Sequence, residues 1–386
     1  MTGAAWPEVR LAKPADAMGI TLLYQLVYQG NYSDPLMRDH SLLKRYLANP
    51  LSVWVVAVTA DRIVGSVVYE SDDEHRLSRV FGGAVMPEFR GAGLLEKVMV
   101  FGHEHLTRST GRVDVVYATT RTSSPAPQVI TEKLGYKKLG IFPNVHRTDV
   151  YETHCLTALF TEVALQRRFT NFCLHPSIAR LYGIVQAECT LGALPTAAAS
   201  DMALDNFDKV LDLEVVAAEK FALHRFETLK AQGLLQSHFY PFHTPNMMIT
   251  SPCQTIEVFV YMAGADKYCT IIGAKKPRDY SFTWLLENCA RSLQAIGARY
   301  IEVLVRADKV KSLERVVQAR FIPCAYFPAF QLHNELRYDF VVCSRTFEIV
   351  DFRHLRLADK NIVFLEEYLK NLQDYYLKPQ LFGAPQ

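Results

Sequence analysis

Two pairs of similar segments recur in the two halves of the chain. Residues 53–62 and 258–267 each contain a β-rich run followed by a turn at Ala-Asp and a basic residue, which predicts a strand, a turn and a second strand. Residues 135–143 and 320–328 each have an aromatic residue in second place and Phe-Pro at the end. Such self-similarity predicts that one folding unit occurs twice, although short hydrophobic strands and Phe-Pro corners also recur by chance. A chain of 386 residues is long enough for two domains of ordinary size.

The spacing between these landmarks differs between the two halves. The first pair is offset by 205 residues (53 to 258) and the Phe-Pro pair by 185 (142 to 327), so the second copy is shorter by 20 residues. In the first copy this interval contains a strand candidate at 78–86 and a glycine-bearing turn at 87–93. In the second copy, residues 270–274 run through a short basic segment directly into a predicted helix. We therefore expect the second copy to lack one strand and the glycine turn.

The landmarks divide the chain into four predicted segments. They are a first domain (1–155), a connector (156–204), a degenerate second copy (205–350) and a helical tail (351–386). The run at 190–200 is rich in small residues and is therefore the candidate flexible boundary.

Composition excludes several classes of function. The chain has 42 basic and 40 acidic residues, so its net charge of +2 predicts neither a nucleic-acid partner nor an anionic membrane partner. No apolar run approaches the ~18 residues of a membrane span, and charged residues interrupt the N-terminal positions that an export signal would need. The eight cysteines are scattered without paired spacing, which favours reduced, mostly buried thiols in a cytoplasmic protein. His103 and His105 predict no metal site, because residues two apart on a helix face different directions.

A strand end, a glycine-bearing turn and a helix start are predicted within residues 85–98. Gly91 and Gly93 have no Cβ, so the N–H groups of this turn can point into one concavity that a ligand can approach. The helix predicted from Leu94 adds unpaired N–H groups and a positive dipole end to the same place. A diphosphate suits such a turn, and Arg90 can add a positive charge. The turn is neither a P-loop nor a dinucleotide-binding fingerprint, because the G-K-[S/T] ending and the third glycine are absent.

The turn resembles the acyl-CoA-binding signature of the GNAT superfamily of N-acyltransferases, [R/Q]-x-x-G-x-[G/A], with Arg90, Gly93 and Leu95 at its defined positions. Leu95 departs from the small residue that usually stands last. The order of predicted elements over residues ~8 to ~155 is similar to the GNAT fold. The resemblance implies an α/β class with two GNAT-like domains, each a mixed, mostly antiparallel sheet flanked by helices. It also implies acetyl-CoA or another acyl-CoA as co-substrate, bound in the first copy because the second lacks the glycine turn. The implied cofactor-binding residues are Val85, Met86, Arg90, Gly91, Ala92, Gly93, Leu94, Leu95 and Ser124.

The family's chemistry needs a base for the amine, an N–H group that polarises the thioester carbonyl, and an acid near the departing thiolate. Thr131 stands where the family usually has a tyrosine acid and could only relay a proton, so Tyr117 is the alternative acid. Ser124 stands where the family has an asparagine, and a helix N-cap is its alternative role. Glu88, beside the turn, is the candidate base and Asp114, in a following strand, is the alternative, although such carboxylates are often only solvated.

Tyr24, Tyr28 and Tyr32 follow a helical spacing in the region that shapes acceptor pockets in this fold. We expect Tyr28 and Tyr32 to contact the substrate, although a packed stripe is the alternative. The aromatic cluster at 238–243 either lines an acceptor pocket or packs in a core.

The function expected from these features is an acyl-CoA-dependent N-acyltransferase acting on a small-molecule amine or an amino group. A non-catalytic CoA-binding or ligand-binding sensor or scaffold is the alternative, and the departures at Leu95 and Thr131 favour it. An acceptor on a protein lysine or N-terminus would need an open groove, which no residue pattern reveals. A homodimer is a possible assembly.

Overall fold

The computed structural model describes residues 6–29, 35–37, 39–60, 62–147, 150–198, 211–236, 238–278 and 280–378. The chain forms two compact units. Unit 1 contains residues 1–119, 130–136 and 158–166, and unit 2 contains residues 120–129, 137–157 and 167–386.

Within the described residues, the first half of the chain contributes seven strands and the first helices. The strands are β1 (Glu8–Leu11), β2 (Ser52–Thr59), β3 (Arg62–Asp72), β4 (Leu77–Val85), β5 (Val115–Arg121), β6 (Lys137–Arg147) and β7 (Tyr151–Phe160). The helices are α1 (Ala17–Tyr28), α2 (His40–Leu47), α3 (Leu94–Glu104), α4 (Ala126–Lys133), α5 (Glu162–Gln166) and α6 (Pro176–Cys189).

Among its described residues, the second half contributes seven more strands and four further helices. The strands are β8 (Glu214–Val216), β9 (Met247–Thr250), β10 (Glu257–Ala263), β11 (Tyr268–Lys275), β12 (Tyr300–Arg306), β13 (Ile322–His333) and β14 (Leu336–Thr346). The helices are α7 (Glu219–Ala231), α8 (Phe282–Ala295), α9 (Val310–Gln318) and α10 (Asp359–Leu372). None of the helices in the described ranges is long and apolar enough to cross a membrane.

The strand order of the second half repeats that of the first. Strands β1 to β7 are ordered β1-β2-β3-β4-β5-β7-β6, and strands β8 to β14 are ordered β8-β9-β10-β11-β12-β14-β13. The pairs from β1 to β4 are antiparallel and β4 is parallel to β5. Likewise, the pairs from β8 to β11 are antiparallel and β11 is parallel to β12. Helices α1 and α3 pack on β3, and α6 and α10 pack on β13. The predicted class, a mixed and mostly antiparallel sheet flanked by helices, is confirmed.

This strand order corrects the alignment of the two halves. The parallel pair β11–β12 occupies the place of β4–β5, so the hairpin β10–β11 corresponds to β3–β4. The two similar Ala-Asp turns therefore connect strands that do not correspond, β2 with β3 and β10 with β11. The expectation that the second half lacks a strand was wrong. The glycines are absent as expected, since residues 276–281 between β11 and α8 contain none.

The cores of the two units differ in chemistry. In unit 1 the core is largely aliphatic, with fully buried Val55, Val56 and Val64 from β2 and β3 beneath the helices. In unit 2 the Arg168 guanidinium is buried against the Asp339 carboxylate at 2.8 Å, and the Tyr326 hydroxyl donates to the same carboxylate. A buried carboxylate requires such donors, because an unpaired charge would be strongly destabilising. All eight cysteines are free thiols and six of them are buried.

Strands β6 and β13, both in unit 2, approach each other closely at Gly140. The two strands pair antiparallel at Gly140 and Ala325, which are also the residues that the 185-residue Phe-Pro offset matches. A Cβ at Gly140 would lie 2.4 Å from the Cα of Ala325 and from the carbonyl oxygen of Cys324. Only glycine allows this approach, because backbone atoms cannot yield as a flexible side chain can.

Gly140→Ala is expected to lower the free energy of unfolding by about 1–3 kcal/mol, because the new methyl group must force the β6 and β13 backbones apart. Denaturant-induced unfolding of the full chain measures the effect. Gly183→Ala is the matched control. Gly183 lies in α6 and a Cβ there meets nothing within 4 Å, so the change should be neutral or stabilise by up to about 1 kcal/mol. Equal effects at the two positions would contradict the close-approach explanation.

Candidate functional site

The candidate site in unit 1 begins where β4 and β5 part. The two strands are in register only from Leu77 to Arg79 on β4 and from Val115 to Tyr117 on β5. From Val80 onward, β4 continues in register with β3 alone. One edge of β4 is therefore not paired with β5 over its last residues, and its backbone groups there can bind a ligand. Tyr117 is the last β5 residue before the strands part, and its side chain is half-buried.

A bulge in β4 lies along this unpaired edge. The register with β3 shifts between Ser66 and Val68, and Gly82 has φ +66°. A Cβ at Gly82 would lie 2.9 Å from the Tyr24 hydroxyl oxygen, so both the backbone angle and the close packing favour glycine. The Tyr24 hydroxyl donates to the Gly82 carbonyl, and the Tyr28 hydroxyl donates to the Gly83 carbonyl at 2.8 Å. Two hydroxyls of α1 thus fix the bulge.

Of the two predicted substrate tyrosines, only Tyr28 lies among the described residues. Tyr28 is half-buried, and its ring stacks on Tyr24 with centroids 6.0 Å apart. Its hydroxyl proton is used in holding β4, so the hydroxyl cannot also donate to an acceptor. Tyr32 lies outside the described residues.

At the end of β4, the backbone N–H group of Val85 points away from β3. The Met86 N–H donates to the Val64 carbonyl at 2.9 Å, which makes Gly65 and Val85 a non-hydrogen-bonded pair of the antiparallel ladder. The N–H and C=O groups of Val85 therefore point away from β3. Of the two residues predicted to hold the thioester arm, Val85 has the N–H group on the unpaired edge, whereas that of Met86 is engaged in the sheet.

The glycine turn follows as predicted from the sequence. Residues Pro87–Phe89 form one 3-10 turn, and α3 begins at Leu94. Gly91 and Gly93 both have φ +77°, and a Cβ at either position would meet nothing within 4 Å. The left-handed backbone conformation therefore favours glycine at both positions, and both positions border open space. Ala92, which lies between them, is exposed. The first N–H groups of α3 have no partners within the helix and lie at its positive dipole end.

The two leucines after the turn face the sheet. Leu94 is buried and lies against Gly65. Leu95 is half-buried, and its methyl groups lie 3.4 Å from the point that a Cβ at Gly83 would occupy. The side chain of Leu95 is therefore directed at the bulge of β4.

The two charged residues of the turn are exposed. Arg90 folds back so that its Nε donates to the Val85 carbonyl at 3.1 Å. This contact ties the turn to the end of β4 and leaves the terminal guanidinium nitrogens for an anion. Glu88 forms a surface ion pair with Arg62 at 3.2 Å.

Thr131 and Ser124 lie on or near α4. Thr131 is buried, with 4% of its surface exposed, and its carbonyl accepts from the Tyr136 N–H at 3.0 Å. Ser124 belongs to unit 2 and is exposed, and its hydroxyl oxygen accepts from the Ala126 N–H at 3.3 Å. This bond is typical of a cap at the start of a helix, the alternative role predicted for Ser124.

The two histidines at the end of α3 and just after it differ in burial, since His103 is buried and His105 is half-buried. The His103 ring is buried, its Nε2 lies 2.6 Å from the Tyr136 hydroxyl, and it packs edge-on against Tyr69. Burial lowers the pKa of His103 to about 4, so the imidazole is neutral at pH 7. No group of three or more His, Cys, Asp or Glu residues within the described ranges could hold a metal ion.

Comparisons with known proteins give matches in structure alone. Neither a protein-family model nor a curated protein matches the chain. The acetyltransferase of the GNAT family from Streptococcus pneumoniae is 15% identical with a TM-score of 0.36, over 40% of this chain and 99% of that one. The ribosomal-protein-S5-alanine acetyltransferase from Vibrio fischeri is 17% identical with a TM-score of 0.36, over 41% and 97%. An aminoglycoside 6′-N-acetyltransferase complexed with coenzyme A is 18% identical with a TM-score of 0.33, over 40% and 96%. The chain resembles GNAT-family acetyltransferases. The resemblance concerns the fold alone.

Sequence reasoning missed the bulge of β4 and the residues that hold it. The adjacent glycines Gly82 and Gly83 inside a strand were the available signal, because glycine in a strand interior often marks a bulge. The spacing of Tyr24 and Tyr28 identified a shared helix face, but it could not identify the strand carbonyls that accept their hydroxyl protons.

The depressed pKa of His103 predicts a loss of stability in mild acid. Unfolding returns the imidazole to its ordinary pKa near 6.5, so the unfolded state binds more protons between about pH 6.5 and 4, and stability falls as the pH falls through that window. From pH 7 to pH 5, this group alone should remove about 2 kcal/mol. In denaturant titrations, His103→Gln should lose correspondingly less than the wild type over this range. A variant with the full wild-type loss would contradict the assignment.

Proposed function

We propose that the chain is an acyl-CoA-dependent N-acyltransferase and that the glycine turn of unit 1 binds the diphosphate of the acyl-CoA. The observation that carries the proposal is the open space beside Gly91 and Gly93, at the N-terminus of α3. An added Cβ would project into this space at either position. The N–H groups there suit phosphate oxygens, and the helix dipole favours their negative charge.

Different residues would contact different parts of the acyl-CoA molecule. Backbone groups of Gly91, Ala92, Gly93 and Leu94 would face the diphosphate, and Arg90 would add charge while its Nε holds the Val85 carbonyl. The pantetheine arm would lie along the unpaired edge of β4. The amide groups of the arm can form hydrogen bonds with the strand's free backbone groups, as a neighbouring strand would. The sheet-facing position of Leu95 accounts for a leucine at a place where the family usually has a small residue.

Acyl-CoA supplies the thioester, and the chain supplies polarisation and proton transfer. The Val85 N–H points away from β3 and would donate to the thioester carbonyl oxygen as charge develops on it. Glu88 would take the proton that an ammonium must lose before it can attack. Tyr117, where β4 and β5 part, would protonate the departing thiolate by donating its hydroxyl proton. The buried position of Thr131 supports only the lesser role of a relay.

The acceptor is proposed to be a primary amine on a small molecule or an amino group. Tyr28, and Tyr32 by its spacing, would contribute ring surface to the acceptor pocket. The ring of Tyr28 is fixed by its hydroxyl bond to Gly83, which suits a rigid wall.

A second candidate function is a CoA-binding sensor without catalysis. The specific observation in its favour is Thr131, a buried threonine where the family usually has a tyrosine acid. This alternative shares the glycine turn and differs only in turnover, so the two functions are separated by measuring binding and reaction independently.

Gly93→Val is expected to weaken acetyl-CoA binding at least tenfold, because the side chain would enter the space proposed for the diphosphate. Isothermal titration calorimetry on the full chain measures the affinity. Gly111→Val is the matched control, since Gly111 also has a left-handed φ of +59° and a Cβ there also meets nothing within 4 Å. The control shares the backbone strain and should keep wild-type affinity. Unchanged affinity in Gly93→Val would refute this placement of the diphosphate.

Tyr117→Phe is expected to lower the rate of free thiol release with an amine acceptor by about a hundredfold while acetyl-CoA affinity stays unchanged. Thiol release across a panel of amines measures turnover, and Thr131→Val is the comparison. A large loss in Thr131→Val with none in Tyr117→Phe would contradict Tyr117 as the acid and support a proton relay through Thr131. Acetyl-CoA binding without thiol release for any amine would support the sensor.

A further inference from the structure

Unit 2 contains a second place where parallel strands part. Strands β11 and β12 are in register from Tyr268 to Ile271 and from Tyr300 to Val303. Beyond Ile271, β11 continues in register with β10, and beyond Val303, β12 continues in register with β14. The facing edges of β11 and β12 are thus not paired with each other over their last residues, as for β4 and β5.

This opening forms a cavity of about 690 Å³. Its inner walls are apolar and come from both strands, with Ile271, Ile272, Val303 and Val305 among them. A cavity of this size suits a ligand with the bulk of a nucleotide. The aromatic rings of Tyr280 and Phe282 also line it, and the Tyr280 ring stacks on Trp284 with centroids 5.7 Å apart.

The remaining wall is strongly basic. Six cationic side chains line the cavity: Lys276, Arg278, Arg306, Lys309, Lys311 and Arg315. No acidic side chain is among the lining residues within the described part of the chain. Positive charges gathered in one concavity raise its potential and attract anions, because low-dielectric walls focus the field.

Three of these cations are already engaged in the protein. The Lys276 ammonium donates to the carbonyls of Pro277 and Tyr280. The Arg306 guanidinium donates to both carboxylate oxygens of Asp308, and the Lys309 ammonium lies 3.4 Å from that carboxylate. These bonds fix part of the basic wall in place.

The other three cations have no such partner in the residues that the structure describes. Neither Arg278 nor Lys311 nor Arg315 lies within ion-pair distance of a described carboxylate. Arg278 and Lys311 are exposed and Arg315 is half-buried, so their charged groups can reach a ligand at the mouth of the cavity. An anion with several charges would relieve the mutual repulsion of these groups.

We propose that this cavity binds a nucleoside di- or triphosphate moiety, with the phosphates held by Arg278, Lys311 and Arg315 and the base beside Tyr280 and Phe282. The site is independent of the glycine turn and uses side-chain charge where that turn uses backbone N–H groups. Free nucleotides and the nucleotide part of CoA share this chemistry, and the probes below distinguish them.

Isothermal titration calorimetry of the full chain with ADP, ATP, CoA and inorganic pyrophosphate tests the proposal. We expect at least one of the three nucleotides to bind with micromolar affinity. Lys311→Glu combined with Arg315→Glu should weaken that binding by more than about tenfold, and the milder pair Lys311→Gln and Arg315→Gln should weaken it in the same direction. Lys230→Glu combined with Lys370→Glu is the matched control, because it makes the same charge change at exposed positions of unit 2 outside the cavity lining.

The background for these titrations is Gly93→Val, so that failure of the glycine turn and failure of this site are read separately. Nucleotide binding that survives Gly93→Val and is lost in the Lys311 and Arg315 variants supports the proposal. Competition between CoA and ATP in that background would assign CoA as an occupant, and ATP binding without competition would assign free nucleotides. Absence of nucleotide binding, equal losses in the control pair, or pyrophosphate binding as tight as that of ATP would overturn it.

Discussion

Both proposed sites depend on a short stretch of parallel pairing between two strands. Only three residues of β4 are in register with β5, and only four of β11 with β12. Beyond these stretches β4 follows its antiparallel neighbour β3, and β11 and β12 follow β10 and β14, while the natural twist of the sheet favours separation of the inner edges. Those edges carry backbone N–H and C=O groups that need partners, which a ligand, water or a side chain must supply. The outer antiparallel ladders thus create the openings in which a ligand can bind.

The two proposed sites would bind an anion in different ways. In unit 1, Gly91 and Gly93 adopt left-handed conformations that leave open space beside the first turn of α3. Backbone dipoles can bind phosphate there with Arg90 as the main fixed charge. In unit 2, Ser281 caps the start of α8, its hydroxyl oxygen accepts from the Trp284 N–H, and residues 276–281 contain no glycine. Lysine and arginine side chains replace the backbone donors, at the cost of mutual repulsion when no anion is bound.

The accuracy of prediction from the sequence followed the range of the interactions. The glycine turn and the start of α3 were predicted correctly because they depend on a few adjacent residues. The alignment of the halves was wrong because an Ala-Asp turn records only local geometry, whereas the identity of a hairpin depends on which strands lie beside it. The contacts of Tyr24 and Tyr28 with β4 and the cationic lining of the unit 2 cavity were missed for the same reason. Each joins residues that are far apart in the sequence.

The two openings differ in the residues that form the third pair of each parallel ladder, and this difference bears on their chemistry. In unit 1 this pair is Arg79 with Tyr117, and in unit 2 it is Thr270 with Glu302. The Glu302 carboxylate is buried and accepts hydrogen bonds from the hydroxyls of Tyr240, Tyr268 and Tyr300, and burial raises its pKa. Within the aromatic cluster at 238–243, Tyr240 belongs to this network and Phe239 packs against Phe330 and Phe340, so both side chains have structural contacts. A carboxylate held by three donors is poorly placed to exchange a proton with a ligand, whereas Tyr117 is half-buried at the corresponding position. Proton transfer is therefore better supported at the opening in unit 1, and binding alone at the opening in unit 2.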